Sequence, residues 1–266
     1  MPPRPSCVFI ALFLATAQAQ AQDATSHVGM AGARLRDAGV MSMGGTGPFG
    51  RTEVFEYLDL PDGRHMLLNS ITAANGSYRV QVRFDLDANW RSLKAQGTGI
   101  YDGTPVAITM QRTADEVAIR VRGNGIDLSP RAECTPDCFI NMSPSATAMF
   151  LMTRHYDRQT GGVQTFRWSG QDLDRKRTLS GGLSSLSFKG LIPVRRHDGT
   201  SLDIQHFTFV ENLPTPDGKR YLMDFDLWVD ADHRPMGFRI TSIKQPVIGF
   251  REGYEDIRNT LIGKLE

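Results

Sequence analysis

Four aspartates and a histidine lie close together near the end of the chain, between Asp224 and His233. Carboxylates and an imidazole at short spacing could bind a divalent cation or transfer protons. A calcium loop of the EF-hand kind is excluded, because Pro235 stands where that loop needs glycine and Thr241 where it needs glutamate. The period of a strand instead places Asp224, Asp226 and Asp230 on one face, so we interpret these carboxylates as a solvated face.

Trp228 does not fit this interpretation, because its parity places a large apolar ring among the aspartates. Three explanations are open. The ring covers an edge of the sheet, packs beneath a C-terminal helix, or lines a binding surface. We therefore include Trp228 among the candidate ligand-binding residues.

A second group of reactive side chains, Arg154, His155 and Asp157, follows the apolar run MFLM. These residues could supply an anion-binding group, a base and an acid. Cationic side chains at the end of a helix also stabilise its dipole, which is an equally simple structural explanation. His206 projects either into an apolar concavity or onto a less buried face. The candidate catalytic residues are therefore His155, Asp157 and His206.

Aromatic rings beside arginines could stack on a ligand. Trp90 precedes Arg91 and Trp168 follows Arg167, an arrangement that ordinary packing of an arginine stem over a ring would also produce. The apolar helix residues could line or plug a cavity. The candidate ligand-binding residues are Trp90, Phe150, Met152, Arg154, Trp168 and Trp228.

Motifs for common cofactors are absent from the sequence. It contains no G-x-S-x-G elbow, no H-E-x-x-H, no P-loop and no dinucleotide-binding G-x-G-x-x-G in a strand-to-helix turn. The six histidines form no pair at i,i+2 or i,i+4 spacing. We predict neither a cofactor nor a metal site.

The first 21 residues have the features of a secretory signal peptide. Arg4 is followed by an apolar run from Cys7 to Ala15 and by small residues that offer cleavage sites. We therefore expect a periplasmic or secreted protein, with residues 22–266 forming one domain. Cys134 and Cys138 remain after cleavage, and their C-x-x-x-C spacing predicts a structural disulfide rather than a redox or metal site. Its short loop limits the stabilisation to about 2 kcal/mol.

Charge and hydropathy limit the range of partners. The chain carries 30 basic and 29 acidic side chains, so no global field attracts nucleic acid. Beyond the signal peptide, no stretch approaches the roughly 18 apolar residues of a membrane helix. We predict no nucleic-acid partner and no transmembrane segment.

Alternating apolar and polar residues indicate antiparallel strands over most of the chain, as in YRVQVRFDLD, PVAITMQ and EVAIRVR. Turn dipeptides such as Asn75-Gly76 and Asp102-Gly103 separate these strands. We interpret GVMSMGGTGPFG as a loop. A central helix is predicted from the N-cap Ser143 to Gly161, and a short C-terminal helix follows Pro246. The predicted fold is mainly β, a single large curved antiparallel sheet forming a half-barrel or open barrel, with these two helices.

The order of elements and the stretch FDLWVDADHRPMGF resemble exported bacterial half-barrels of the LolA-like superfamily. Trp228, Asp230, Asp232, Arg234 and Pro235 carry the resemblance to an uncharacterised periplasmic family within it, whose pattern is W-V-D-x-D-x-R-P. The resemblance implies a curved sheet wrapped around helices that carries acyl chains or handles lipid. A few relatives act as enzymes on apolar biosynthetic intermediates.

These observations lead to a first hypothesis with two alternatives. The protein binds a hydrophobic or amphipathic, lipid-like small molecule in the concavity of its sheet. Alternatively, it is a cofactor-independent isomerase, lyase or hydrolase that acts on such a ligand. A third possibility is an assembly partner that binds another protein through an exposed sheet edge.

Overall fold

The structure is a computed structural model in which the chain divides into two units, Met1–Gly32 and Ala33–Glu266. The predicted signal peptide lies outside the residues that the structure describes. The described residues are 31–44, 50–123, 126–135, 137–172, 178–214, 219–243 and 247–263.

The second unit consists of sixteen strands, one 3₁₀ helix and one α-helix within the described ranges. Of these helices, neither combines the length and hydropathy that crossing a bilayer requires. The strands are β1 Arg34–Met43, β2 Arg51–Asp59, β3 His65–Ala73, β4 Tyr78–Leu86, β5 Ser92–Tyr101, β6 Thr104–Arg112, β7 Glu116–Gly123, β8 Ile126–Leu128, β9 Arg131–Glu133, β10 Phe139–Ser143, β11 Val163–Asp172, β12 Thr178–Arg195, β13 Ser201–Pro214, β14 Arg220–Val229, β15 Pro235–Ile240 and β16 Val247–Arg251. The 3₁₀ helix is Thr147–His155 and the α-helix, α1, is Glu255–Gly263.

All sixteen strands belong to one open, curved sheet. Their order is β10-β11-β12-β13-β14-β15-β16-β1-β2-β3-β4-β5-β6-β7-β8, and β9 pairs with β7 beside this path. Every pair is antiparallel except β10 with β11. The sheet curls until β10 lies against β5, where Ser92 Oγ donates to the Ile140 carbonyl over 3.2 Å. The predicted fold class is confirmed.

Two antiparallel meanders meet where the first strand pairs with the last. Met41 of β1 lies opposite Arg251 of β16 on one side and opposite Glu53 of β2 on the other. The prediction of a loop for GVMSMGGTGPFG was therefore wrong for its first half, Gly39–Met43, which belongs to β1. Hydrogen-bonded neighbours on both sides impose strand conformation on a segment whose glycines hide the alternating pattern.

The face of the sheet that encloses the 3₁₀ helix carries two apolar clusters. Strands β2 to β7 supply most of the first, and Ala148 and Leu151 of the helix pack into it. Strands β11 to β16 supply most of the second, which receives Met149, Phe150 and Met152. The helix thus buries side chains on both sides because it lies between the two meanders.

The central helix differs from the prediction in type and in length. Ser143 ends β10 instead of capping a helix, and the helix is a 3₁₀ helix that begins at Thr147 and ends at His155. Its N-cap, Ala146, has no side chain that could accept a hydrogen bond. The predicted cap was wrong because a carboxylate from a distant strand performs that function.

That carboxylate belongs to Glu53 of β2, whose side chain is completely buried. Its oxygens accept the backbone N–H groups of Ala146 at 2.8 Å and Thr147 at 3.1 Å. They also accept the hydroxyls of Ser145 and Thr147. Negative charge at a helix N-terminus meets unsatisfied donors and the positive end of the dipole, so Glu53 anchors the helix to the sheet.

The predicted disulfide between Cys134 and Cys138 is confirmed. Both cysteines are buried in the first apolar cluster. The bridge fixes the segment that leads from β9 to β10.

Glu53→Gln should destabilise the protein by about 2–4 kcal/mol, because the amide keeps one acceptor and turns an NH₂ group toward buried donors. Urea denaturation followed by far-UV circular dichroism measures this change. Glu116→Gln is the matched control: Glu116 pairs with Arg131 on the surface at 2.8 Å, and its loss should cost less than about 0.5 kcal/mol. Equal urea midpoints for the two variants would contradict the anchoring role of Glu53.

Candidate ligand-binding site

A partly open cavity of about 120 Å³ lies beside the N-terminal end of the 3₁₀ helix. We call it the inner cavity. The helix contributes Met149, and strands β11, β14, β15 and β16 contribute most of the remaining wall. Its apolar lining consists of Ala146, Met149, Trp168, Met223, Phe225, Phe238, Ile240 and Val247.

The lining of the inner cavity also includes polar residues, among them Arg51, Asn141, Gln171 and Glu211. Two residues of the lining each carry a buried donor without an acceptor among the described residues: the indole Nε1 of Trp168 and the Nε of Arg51. A buried N–H without an acceptor costs about 1–3 kcal/mol. A ligand oxygen or a water that reached these two groups would satisfy them.

A second, more open cavity of about 570 Å³ lies at the other end of the 3₁₀ helix. We call it the helix-end depression. Two turns frame it, and each holds a residue in the left-handed region: Trp90 with φ 65° and His233 with φ 59°. The lining residues are Asp87, Ala88, Asn89, Trp90, Arg91, Arg154, His155 and His233.

The ring of Trp90 organises this depression. It stacks on the His65 imidazole with ring centroids 3.8 Å apart and an interplanar angle of 12°. The Arg154 guanidinium lies 4.2 Å from the indole centroid, and the Arg36 guanidinium lies 5.3 Å from it. Arg154 also donates to the His233 carbonyl over 3.4 Å. These contacts hold the guanidinium between the two turns.

The two histidines of the depression share one tautomer. The Thr153 hydroxyl donates to the Phe150 carbonyl, so His233 Nδ1 must donate to Thr153 Oγ1, 3.0 Å away. His155 bonds to the backbone of Trp90, and its Nε2 is buried without a partner among the described residues. The proton of each neutral ring is thus on Nδ1.

Burial lowers the pKa of both histidines to about 4. The Arg91 charge adds to the effect at His155, and the Arg154 charge adds to it at His233. Both imidazoles are therefore neutral at physiological pH, and the cationic character of the depression comes from its arginines.

The three candidate catalytic residues are not brought together. His155 lines the helix-end depression, whereas Asp157 is exposed and accepts the Gln159 N–H in the following turn. His206 lies on the opposite face of the sheet, where its Nε2 is 2.8 Å from Asp226 Oδ1. No acid–base set forms from these residues around one point.

Asp226 corrects the interpretation of the aspartates as a solvated face. Its carboxylate is buried and bonds His206 on one side and Arg239 on the other, at 3.0 Å. These two partners hold the pKa of Asp226 below its usual range against the opposing effect of burial. Asp224, by contrast, is exposed as predicted. Asp226 can be buried because His206 of β13 and Arg239 of β15 bond its carboxylate.

The remaining ligand-binding candidates lie in different environments. Trp168 lines the inner cavity, and Trp90 and Arg154 line the helix-end depression. Phe150 and Met152 are core residues of the second apolar cluster. Trp228 is completely buried on the other face of β14 in a third cluster that includes α1, which selects the second of its three explanations.

No protein-family model matches the sequence, and no curated protein matches it. The chain is similar to the crystal structure of a β-barrel-like protein of domain of unknown function DUF1849 from Brucella abortus. That comparison has 8% identity and a TM-score of 0.48, and covers 80% of this chain and 94% of the other. A DUF1089 family protein from Pseudomonas aeruginosa gives 15% identity and a TM-score of 0.41, with 73% and 92% of the chains covered.

Sequence reasoning missed the partners that complete each site. Arg51 and Trp168 share the inner cavity although they lie on β2 and β11, and no local pattern connects them. His233 has no sequence signal beyond its position in the aspartate-rich stretch. Within the parts of the chain that are described, no three His, Cys, Asp or Glu residues lie close enough to hold a metal ion.

The low pKa of His155 and His233 predicts that stability falls as pH decreases from about 6.5 to about 4. The unfolded chain binds protons over this range while the folded histidines stay neutral, so their contribution is complete above pH 6.5 and lost near pH 4. Allowing for partial solvent screening, each histidine contributes about 1–2 kcal/mol.

Urea midpoints measured between pH 4 and pH 7 test this expectation. The double variant His155→Gln, His233→Gln should have a flatter profile than the wild type. His197→Gln, at an exposed position outside the depression, is the control for the effect of the substitution itself. A double variant with the wild-type slope would contradict the assignment.

Proposed function

We propose that this protein binds a small amphipathic molecule in the inner cavity, with the apolar part of the ligand against Met149, Phe225 and Phe238. The acceptor oxygen of the ligand would take hydrogen bonds from Trp168 Nε1 and Arg51 Nε. The observation that carries the proposal is the presence of these two buried donors, both without an acceptor among the described residues, on residues that line one mainly apolar cavity.

The volume of the cavity supports a small apolar group. An engineered apolar cavity of about 150 Å³ holds one benzene ring, so a space of about 120 Å³ suits a single ring or a short alkyl end. Most of the concavity is filled by the two apolar clusters and the 3₁₀ helix. A lipid-like ligand would therefore place only one end inside.

Binding is favoured over catalysis for a geometric reason. The alternative of a cofactor-independent enzyme needs acid and base groups around one point. His155, Asp157 and His206 occupy three different environments.

The proposal includes export to the periplasm or the medium. The N-terminal 21 residues support it through their basic start, apolar run and small-residue cleavage sites. A buried disulfide is also typical of proteins from oxidising compartments.

Phenol and toluene form a matched pair of probes for the inner cavity, because they have the same size and differ in one oxygen. Wild-type protein should bind phenol about fivefold more tightly than toluene, since one net hydrogen bond contributes about 1 kcal/mol. Trp168→Phe removes the indole donor and should reduce this preference to about twofold or less. Isothermal titration calorimetry measures both affinities.

Trp228→Phe is the matched control. It also removes a buried indole N–H without a partner among the described residues, but from the opposite face of β14. It should leave the phenol preference at the wild-type value. A wild-type protein that binds neither probe, or a preference that survives Trp168→Phe, would overturn the proposal.

A further inference from the structure

We propose that the helix-end depression is a second binding site, which takes an oxyanionic group through the guanidinium of Arg154. The ligand class is a small phosphate or carboxylate, or the same group on a larger molecule. This site goes beyond the proposed function and does not depend on it.

The charge of Arg154 has no carboxylate partner within ion-pair distance among the described residues, although its side chain is half-buried. Asp230 and Asp232 act on its charge only from beyond ion-pair distance, and both are engaged elsewhere: Asp230 accepts the backbone N–H groups of Asp232 and Arg234, and Asp232 pairs with Arg234. In the lining itself, Asp87 accepts the N–H groups of Asn89 and Arg91. A half-buried cation without a carboxylate in direct contact favours a bound anion.

The guanidinium is also preorganised. Its contact with the face of Trp90 and its bond to the His233 carbonyl restrain its position, and most of its five N–H donors have no acceptor that the described residues provide. A planar fork held in this way matches a carboxylate or phosphate bidentately, and little side-chain entropy is lost on binding.

The turn conformations give a second, independent indication. A tryptophan with φ 65° is uncommon, because left-handed backbone crowds a bulky side chain. Such strain persists only where the surroundings impose it, and it concentrates at binding sites. Here it places the Trp90 ring between the 3₁₀ helix and His65, which positions Arg154.

Other ligand classes fit the depression less well. A metal cation would face the charges of Arg91 and Arg154, and the one carboxylate of the lining, Asp87, already accepts two backbone N–H groups. An aromatic ligand would compete for a ring that already contacts His65, Arg36 and Arg154. An anion meets neither obstacle.

The two sites are separate in space. The inner cavity lies at the N-terminal end of the 3₁₀ helix and the depression at its C-terminal end. A nine-residue 3₁₀ helix is about 16 Å long, and packed core lies between the sites.

The test is a titration of full-length protein with inorganic phosphate at pH 7, with ionic strength held constant by sodium chloride and binding followed by calorimetry. A parallel arm measures co-sedimentation with vesicles of phosphatidylglycerol, which presents a phosphodiester monoanion on a lipid. Phosphate binding identifies a soluble ligand, and vesicle binding alone identifies a headgroup. Either supports the site if Arg154→Gln weakens the interaction at least tenfold.

Arg158→Gln is the matched control, because Arg158 lies nearby but stacks on Phe188 and bonds Gln205 instead. It should change either affinity by less than twofold. Arg154→Lys keeps the charge without the planar fork, and it should give an intermediate affinity if the fold is intact by circular dichroism. Equal weakening by Arg154→Gln and Arg158→Gln, or no binding in both arms, would overturn the proposal.

Discussion

The carboxylate of Glu53 at the N-terminus of the 3₁₀ helix is the interaction on which the rest of the structure depends. The helix is buried from Thr147 to Thr153 inside a curved sheet, so water cannot satisfy its first N–H groups. Glu53 satisfies them from β2, and the helix then completes both apolar clusters. Because the helix is fixed at this end, its two termini define the positions of the inner cavity and the helix-end depression.

The fold could be predicted where side chains alternate and could not where glycines interrupt the pattern. β4, β6 and β7 bury every second residue, and the sequence indicates them directly. In β15 and β16, Gly237 leaves room for the Phe250 ring and Gly249 for the Phe238 ring. Each glycine makes room for a ring on the neighbouring strand, so the reason for the glycine can be recognised only when the pairing of the two strands is known.

The candidate sites were only partly predictable for a similar reason. Trp90, Arg154 and Trp168 were chosen by residue type, and each lines one of the two cavities. Asp226 was assigned to solvent because strand parity cannot show that His206 and Arg239 flank it. Arg51 carried no local signal at all. Sequence period gives the face of a strand, whereas burial and partners depend on which strands become neighbours.

The pairing of β1 with β16 also has a consequence for biosynthesis. The N-terminal meander keeps an unpaired edge until the last strand has been synthesised, and contacts between the two ends of a long chain form slowly. Until then β1 lacks one of its two neighbouring strands, and the second apolar cluster lacks Val247. Closing the sheet is therefore expected to be a late step of folding, which joins two meanders that can each form earlier from strands close together in the chain.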